Sequence, residues 1–170
     1  YNSAKTAVTV TSDYSNATLN STDYESTVVT ITGSSLSNPL YITGNAKANS
    51  IKGGSGADRI NGNAGADIIY GGSGNDKIYG GNDNDKLYGD AGNDSLYGNA
   101  GNDTLYGGKG TDSMSGSEGS DTFVYANGDG NDVILDYEEE DKIIIDGTID
   151  SVAVATAKSN PKVTLKIGSG

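Results

Sequence analysis

The chain has no cysteine, no histidine and no tryptophan, and only 1 methionine, 1 phenylalanine and 2 prolines in 170 residues. Each absence closes off a chemistry. Without thiols there is no disulfide staple and no thiolate metal site. Without imidazole, Ser-His-Asp and Cys-His catalysis and nearly all zinc sites fall away. Basic charge is scarce: 11 Lys and Arg stand against 23 Asp and Glu, a formal net charge of −12. So acidic a surface repels phosphate backbones and anionic lipid, which argues against nucleic acid and membrane surfaces as partners and makes cations the natural ligand. No apolar run reaches membrane-spanning length, and the opening YNSAKTAVTV lacks a basic segment followed by an apolar one. Apolar residues make up 34%, below the usual ~45–50%. Glycine, in contrast, supplies 26 residues. That balance leans toward disorder unless something neutralises the acids and orders the backbone.

The glycines fall at fixed places. From Gly53 the chain reads as successive nonamers: GGSGADRIN (53–61), GNAGADIIY (62–70), GGSGNDKIY (71–79), GGNDNDKLY (80–88), GDAGNDSLY (89–97), GNAGNDTLY (98–106), GGKGTDSMS (107–115) and GSEGSDTFV (116–124). A weaker unit, GNAKANSIK (44–52), precedes them, and NGDGNDVIL (127–135) follows an insertion of Tyr125 and Ala126. Such a period marks a repeat architecture whose units bury their apolar faces only by stacking. The eighth position is always apolar: Ile51, Ile60, Ile69, Ile78, Leu87, Leu96, Leu105, Met114 and Phe123. Side chains alternate across a strand, so an inward eighth position puts the seventh and ninth outside. The seventh is mostly Lys, Arg, Ser or Thr, with Ile68 the exposed exception. Ninth-position Tyr70, Tyr88 and Tyr106 then stack on one outer face and Tyr79 and Tyr97 on the other. Cross-strand packing accounts for such ladders; they also suit glycans.

The pattern G-G-x-G-x-D-x-U-x, running from Gly44 to about Asp136, resembles the repeat-in-toxin (RTX) family of secreted bacterial calcium-binding proteins. The resemblance implies an all-β fold, a right-handed parallel β-roll. In it, the first six residues of each unit form a calcium-binding turn and the last three a short strand, with successive strands in opposite sheets.

In such a roll, residues eighteen apart stack at about 4.8 Å. Sixth-position Asp67, Asp85, Asp103 and Asp121 then form one column, and Asp58, Asp76, Asp94, Asp112 and Asp132 the other. Bare carboxylates so stacked oppose folding, and a hard dication between them reverses the sign. Calcium suits the gap because it accepts about six to eight oxygens, backbone carbonyls included, in irregular geometry. The expected carbonyl ligands come from the turns: Gly53 and Ser55; Gly62 and Ala64; Gly71, Gly72, Ser73 and Gly74; Gly80, Gly81 and Asn82; Gly89, Ala91 and Gly92; Gly98, Ala100 and Gly101; Gly107, Gly108 and Gly110. About six calcium ions are expected, with room for one or two more, such as a weaker site between Asn49 and Asp67. The apolar anchors alone do not offset the entropy of ordering so glycine-rich a chain. Folding is therefore expected to require calcium.

Residues 1–43 read as short strands, AVTVTS, STVVTIT and PLYIT, that cap or extend the roll; 44–136 is the roll itself. Residues 137–170 form a strand-rich flank, with DKIIID, SVAVATA and KVTLKI and turns at Asp146-Gly147 and near Pro161. The run from Gly119 to Ile145 resembles the closing segment of RTX domains, and no helix of useful length is in sight. Resemblance to type I secretion substrates implies a module that folds on extracellular calcium and supports the secretion and stability of a larger exported bacterial protein. The start at Tyr1 and the end at GSG fit a piece continuous with other domains of such a protein. Two alternatives stay open: a surface adhesin or carbohydrate-binding module with glycan or cell-surface partners, and a non-catalytic C-terminal part of a secreted hydrolase or polysaccharide-modifying enzyme. No enzyme is expected of this chain itself. Its carboxylates recur in every unit as a lattice, and the chain has no G-x-S-x-G, no G-x-G-x-x-G and no P-loop.

Overall fold

A computed structural model describes residues 37–147 throughout, together with the backbone of strands at residues 6–9, 16–18, 29–32, 151–155 and 162–166. The turn expected near Pro161 lies outside the described residues. All described regular structure is β-strand. One eight-stranded sheet runs in the order β1 (Thr6–Thr9), β3 (Val29–Thr32), β5 (Asn49–Lys52), β7 (Ile68–Ser73), β9 (Lys86–Ala91), β11 (Thr104–Lys109), β13 (Thr122–Ala126) and β15 (Lys142–Asp146). The other, nine-stranded, runs β2 (Asn16–Thr18), β4 (Tyr41–Thr43), β6 (Arg59–Ala64), β8 (Lys77–Asn82), β10 (Ser95–Ala100), β12 (Ser113–Glu118), β14 (Asp132–Ile134), β17 (Lys162–Lys166) and β16 (Ser151–Ala155). From β1 to β15 successive strands thus alternate between two sheets, as in a parallel β-roll.

Within the repeats each strand pairs in parallel with the strand eighteen residues away, so that Leu87 faces Leu105 and Tyr88 faces Tyr106. The stack also runs beyond the repeats. Asn16 pairs with Tyr41 and Val29 with Asn49 at the amino end, and Phe123 pairs with Ile143 at the other. Parallel stacking ends where β17 lies antiparallel to β14 and to β16.

The strands are longer than three residues: β6 to β12 each span 6. The ladder continues through the opening of the next turn, where Asn99 pairs with Gly81 and Ala100 with Asn82. A left-handed residue at the second position makes this possible. Asn63 (φ 78°), Gly72 (107°), Gly81 (125°), Asp90 (71°), Asn99 (75°), Gly108 (92°) and Ser117 (74°) all adopt it. Asn and Asp tolerate that conformation better than most residues, which explains why glycine is dispensable there.

The core is a file of side chains between the sheets. All nine eighth-position residues from Ile51 to Phe123 are fully buried, and Leu40, Ile42, Tyr125 and Ile134 extend the file at its ends. Ile68 is exposed, as its outward seventh position requires. Each coil contributes one apolar side chain to each half of its core, so no neighbour compensates for a loss. Leu96→Ala is expected to destabilise the calcium-loaded protein by about 2–5 kcal/mol, read by denaturant unfolding at saturating calcium. A loss below about 1 kcal/mol would contradict this packing.

Candidate metal centre

The turns bring the sixth-position aspartates to the two edges of the roll, where all nine are almost fully buried. Each column is tied by its own backbone. Asp76 Oδ1 accepts the Asp58 N–H at 2.7 Å, Asp85 that of Asp67 at 2.7 Å, and Asp94 that of Asp76 at 2.8 Å. The pattern continues through Asp103, Asp112, Asp121 and Asp132. One oxygen of each carboxylate is therefore used.

The second oxygen is not. Oδ2 of Asp67, Asp76, Asp85, Asp94, Asp103, Asp112, Asp121 and Asp132 is buried and has no hydrogen-bond partner. An unsatisfied polar atom in the interior is costly, and native structures contain few of them. Here the same atom is orphaned in eight successive turns. Burial, reinforced by neighbouring carboxylates, lifts these groups far above the ordinary range. Asp85 and Asp94 rise to about 8, Asp67, Asp76 and Asp132 to about 7, and Asp103, Asp112 and Asp121 to about 6. Backbone donors pull in the opposite direction without cancelling burial.

The first-position glycines leave room beside these oxygens. A Cβ on Gly71 would approach Gly89 O at 2.8 Å and would also crowd Asp76 Oδ2; on Gly80 it would meet Gly98 O at 2.8 Å and crowd Asp85 Oδ2. Gly53, Gly62, Gly89 and Gly98 repeat the arrangement. Glycine is invariant at this position from Gly53 to Gly116 because any side chain would fill a space framed by a carboxylate oxygen and the next coil's carbonyl. Among the described residues no three acids, histidines or cysteines come together as a metal cluster. An ion held here must complete its shell with backbone carbonyls and water. That all-oxygen, irregular donor set fits calcium.

Of the carbonyls expected as ligands, those of Gly71, Gly80, Gly89, Gly98 and Gly107 point into these spaces. Those of Ala64, Gly72, Ser73, Gly81, Asn82, Ala91, Ala100 and Gly108 lie on the strand segments entering each turn, whereas Ser55 lies in a bend between β5 and β6. The Ala91 carbonyl accepts the Gly74 N–H at 2.9 Å, committing one lone pair to the stack.

One residue at a column end escaped the sequence pattern. Asp141 accepts the Asp121 N–H on Oδ1 and the Glu138 N–H on Oδ2, both at 2.8 Å. It occupies the sixth position of DYEEEDKII (136–144), with Ile143 eighth; the unit has no glycine, but counting on from Asp132 would have found it. At the other end Asn49 gives its N–H to Asp67 Oδ1 and binds Asn45 through its amide. Asp58 Oδ2 accepts the Gly54 N–H at 2.6 Å. Asn49, Asp58 and Asp141 at the column ends are satisfied by the protein; the interior members, and Asp132 at the remaining end, are not.

Buried carboxylates, with a turn carbonyl beside each from Asp58 to Asp103, define a calcium-binding β-roll. The family model described as RTX calcium-binding nonapeptide repeat (4 copies) matches residues 41–69, 61–96 and 88–123. Across residues 41–123 the chain belongs to the RTX calcium-binding nonapeptide repeat family, a non-catalytic repeat type whose ligand is calcium. No curated protein matches the chain.

The raised carboxyl values fix the direction of a pH effect. A folded-state value above the unfolded 3.8 means that the metal-free fold is least penalised in acid and loses stability as pH rises through about 6 to 8. Metal-stripped protein is expected to show more strand signal by circular dichroism near about pH 4.5 than near about pH 8, while added calcium reverses the order. More strand signal at the higher pH without metal would contradict it.

Proposed function

We propose that this chain is a folding module that stays open where calcium is scarce and closes into the roll where calcium is abundant, outside the bacterial cell. Residues 44–136 are the calcium roll, and residues 1–43 and 137–170 are the flanks that close it. The observation that carries this reading is the row of orphaned Oδ2 atoms, which none of the described residues satisfies. Asp58, Asp76, Asp94, Asp112 and Asp132 bound four gaps on one edge, and Asp67, Asp85, Asp103, Asp121 and Asp141 bound four on the other. A full complement is therefore about eight ions: the columns read from sequence bound seven gaps, one more than the six ions expected there, and Asp141 adds the eighth. The carbonyls of the bounding turns complete each shell.

Extracellular modules of this kind bind with Kd of about 10⁻⁴ to 10⁻³ M, too weakly to fill in a cytosol poor in calcium. Binding free energy is then folding free energy. Such a module leaves the cell as an open chain and supports the folding and stability of a larger exported protein once outside.

Circular dichroism should show a largely unfolded chain in chelator at neutral pH and strand signal on addition of millimolar calcium; a structured spectrum in chelator would defeat the proposal. Asp94→Asn keeps the Oδ1 acceptor but removes the charge shared by two adjacent gaps. Calorimetric titration is expected to lose about two calcium equivalents in this variant, and unchanged stoichiometry would argue against shared, stacked sites.

A further inference from the structure

The acids are distributed unevenly. In a chain with formal net charge −12, β4, β6, β8 and β10 contain no Asp or Glu, and β12 contains only Glu118 at its last position. The outer face of these strands carries cations instead. Arg59 and Lys77 are directly opposite each other in the ladder, with Tyr41 beside Arg59 and Ser95 beside Lys77. Like charges placed opposite one another destabilise a sheet. Among the described residues no carboxylate relieves them.

Tyrosines hold the pair in place. The Arg59 guanidinium lies 4.7 Å from the centre of the Tyr79 ring and donates through Nη1 to Tyr79 Oη at 3.2 Å. Lys77 Nζ lies 5.6 Å from the Tyr79 centre and 5.5 Å from that of Tyr97. Tyr79 and Tyr97 stack at 5.1 Å, and the ladder ends there because Ser115 follows Tyr97. On the opposite sheet Lys52 also sits over a ring, that of Tyr70, but Asp90 balances its charge. The unbalanced pair is thus confined to one face.

We propose that this face binds an acidic oligosaccharide, a chain of uronate residues lying across β6, β8 and β10. Arg59 takes a sugar carboxylate with the donors its single bond to Tyr79 leaves over, and Lys77 adds a second positive charge. The open side of Tyr97 receives the apolar face of a sugar ring, and Asn61, Ser95 and Asn99 offer partners to its hydroxyls. A flat sheet provides no cavity of the kind that encloses a small molecule. Its affinity has to come from a ligand long enough to span several strands, each advancing about 4.8 Å.

The site rests on the calcium-loaded fold but uses none of the column aspartates, so the two are tested apart. The full chain at saturating calcium is titrated calorimetrically with a 1,4-linked hexauronate, its carboxyl-reduced neutral counterpart and a sulfated hexasaccharide. Strand signal is read by circular dichroism in the same samples. The hexauronate is expected to bind at least about tenfold more tightly than the neutral chain, and the Arg59→Gln/Lys77→Gln double variant to lose about tenfold in affinity with its strand signal unchanged. Equal binding of the neutral chain, undiminished binding by the double variant, or no binding of the uronate to protein whose strand signal is intact would overturn the site. Tighter binding of the sulfated chain than of the uronate would overturn the carboxylate assignment.

Discussion

A carboxylate oxygen that is buried and has nothing to bond to is the constraint on which the rest of this structure depends. Its partner oxygen is tied to the backbone of the preceding coil, so the side chain cannot swing out to water. Repeated along both edges, the arrangement stacks negative charge in a medium that magnifies repulsion. Only a small multivalent cation meets both demands, filling the vacant bond and cancelling the charge. The first-position glycines, the left-handed second and fourth positions and the nine-residue period all serve to present that oxygen beside the carbonyl of the next coil.

What holds the coils together without metal is modest. Among the described residues the core is one file of aliphatic side chains, with the larger Phe123 and Tyr125 buried toward its closing end. A second ladder runs along the turns: Asn75 Oδ1 accepts the Asn93 N–H at 2.9 Å, Asn84 Oδ1 that of Asn102 at 2.8 Å, and Asn93 and Asn102 repeat this for Thr111 and Ser120. Stacked Tyr70, Tyr88 and Tyr106, 4.6 and 4.4 Å apart, add a third. These contacts set the register of neighbouring coils, but none removes the penalty on the aspartates. Cooperation between coils therefore runs through the ion gaps.

The repeat could be read from sequence because each position answers to a separate physical demand. Position eight must be apolar to be buried, position six must be acidic to meet the ion, and position one must lack a side chain. The inward file and both aspartate columns followed from that spacing. The extra strand length did not, because it depends on Asn63, Asp90, Asn99 and Ser117 adopting a left-handed backbone that their side chains only permit. Asp141 was hidden for the opposite reason: its unit keeps the aspartate and the aliphatic but has lost every glycine, since its carboxylate is satisfied by the Glu138 N–H. The unbalanced Arg59–Lys77 pair was invisible for a third reason. Eighteen residues separate them in the chain, and only the register of β6 on β8 sets them opposite.

Diffraction from crystals grown in calcium, with data collected to locate the metal by its anomalous signal, tests the central claim most directly. The account predicts a peak in the gaps between successive aspartates of each column, within about 2.3–2.6 Å of the Oδ2 atoms and of turn carbonyls. Columns free of anomalous density, with every Oδ2 bonded to another group of the chain, would contradict it.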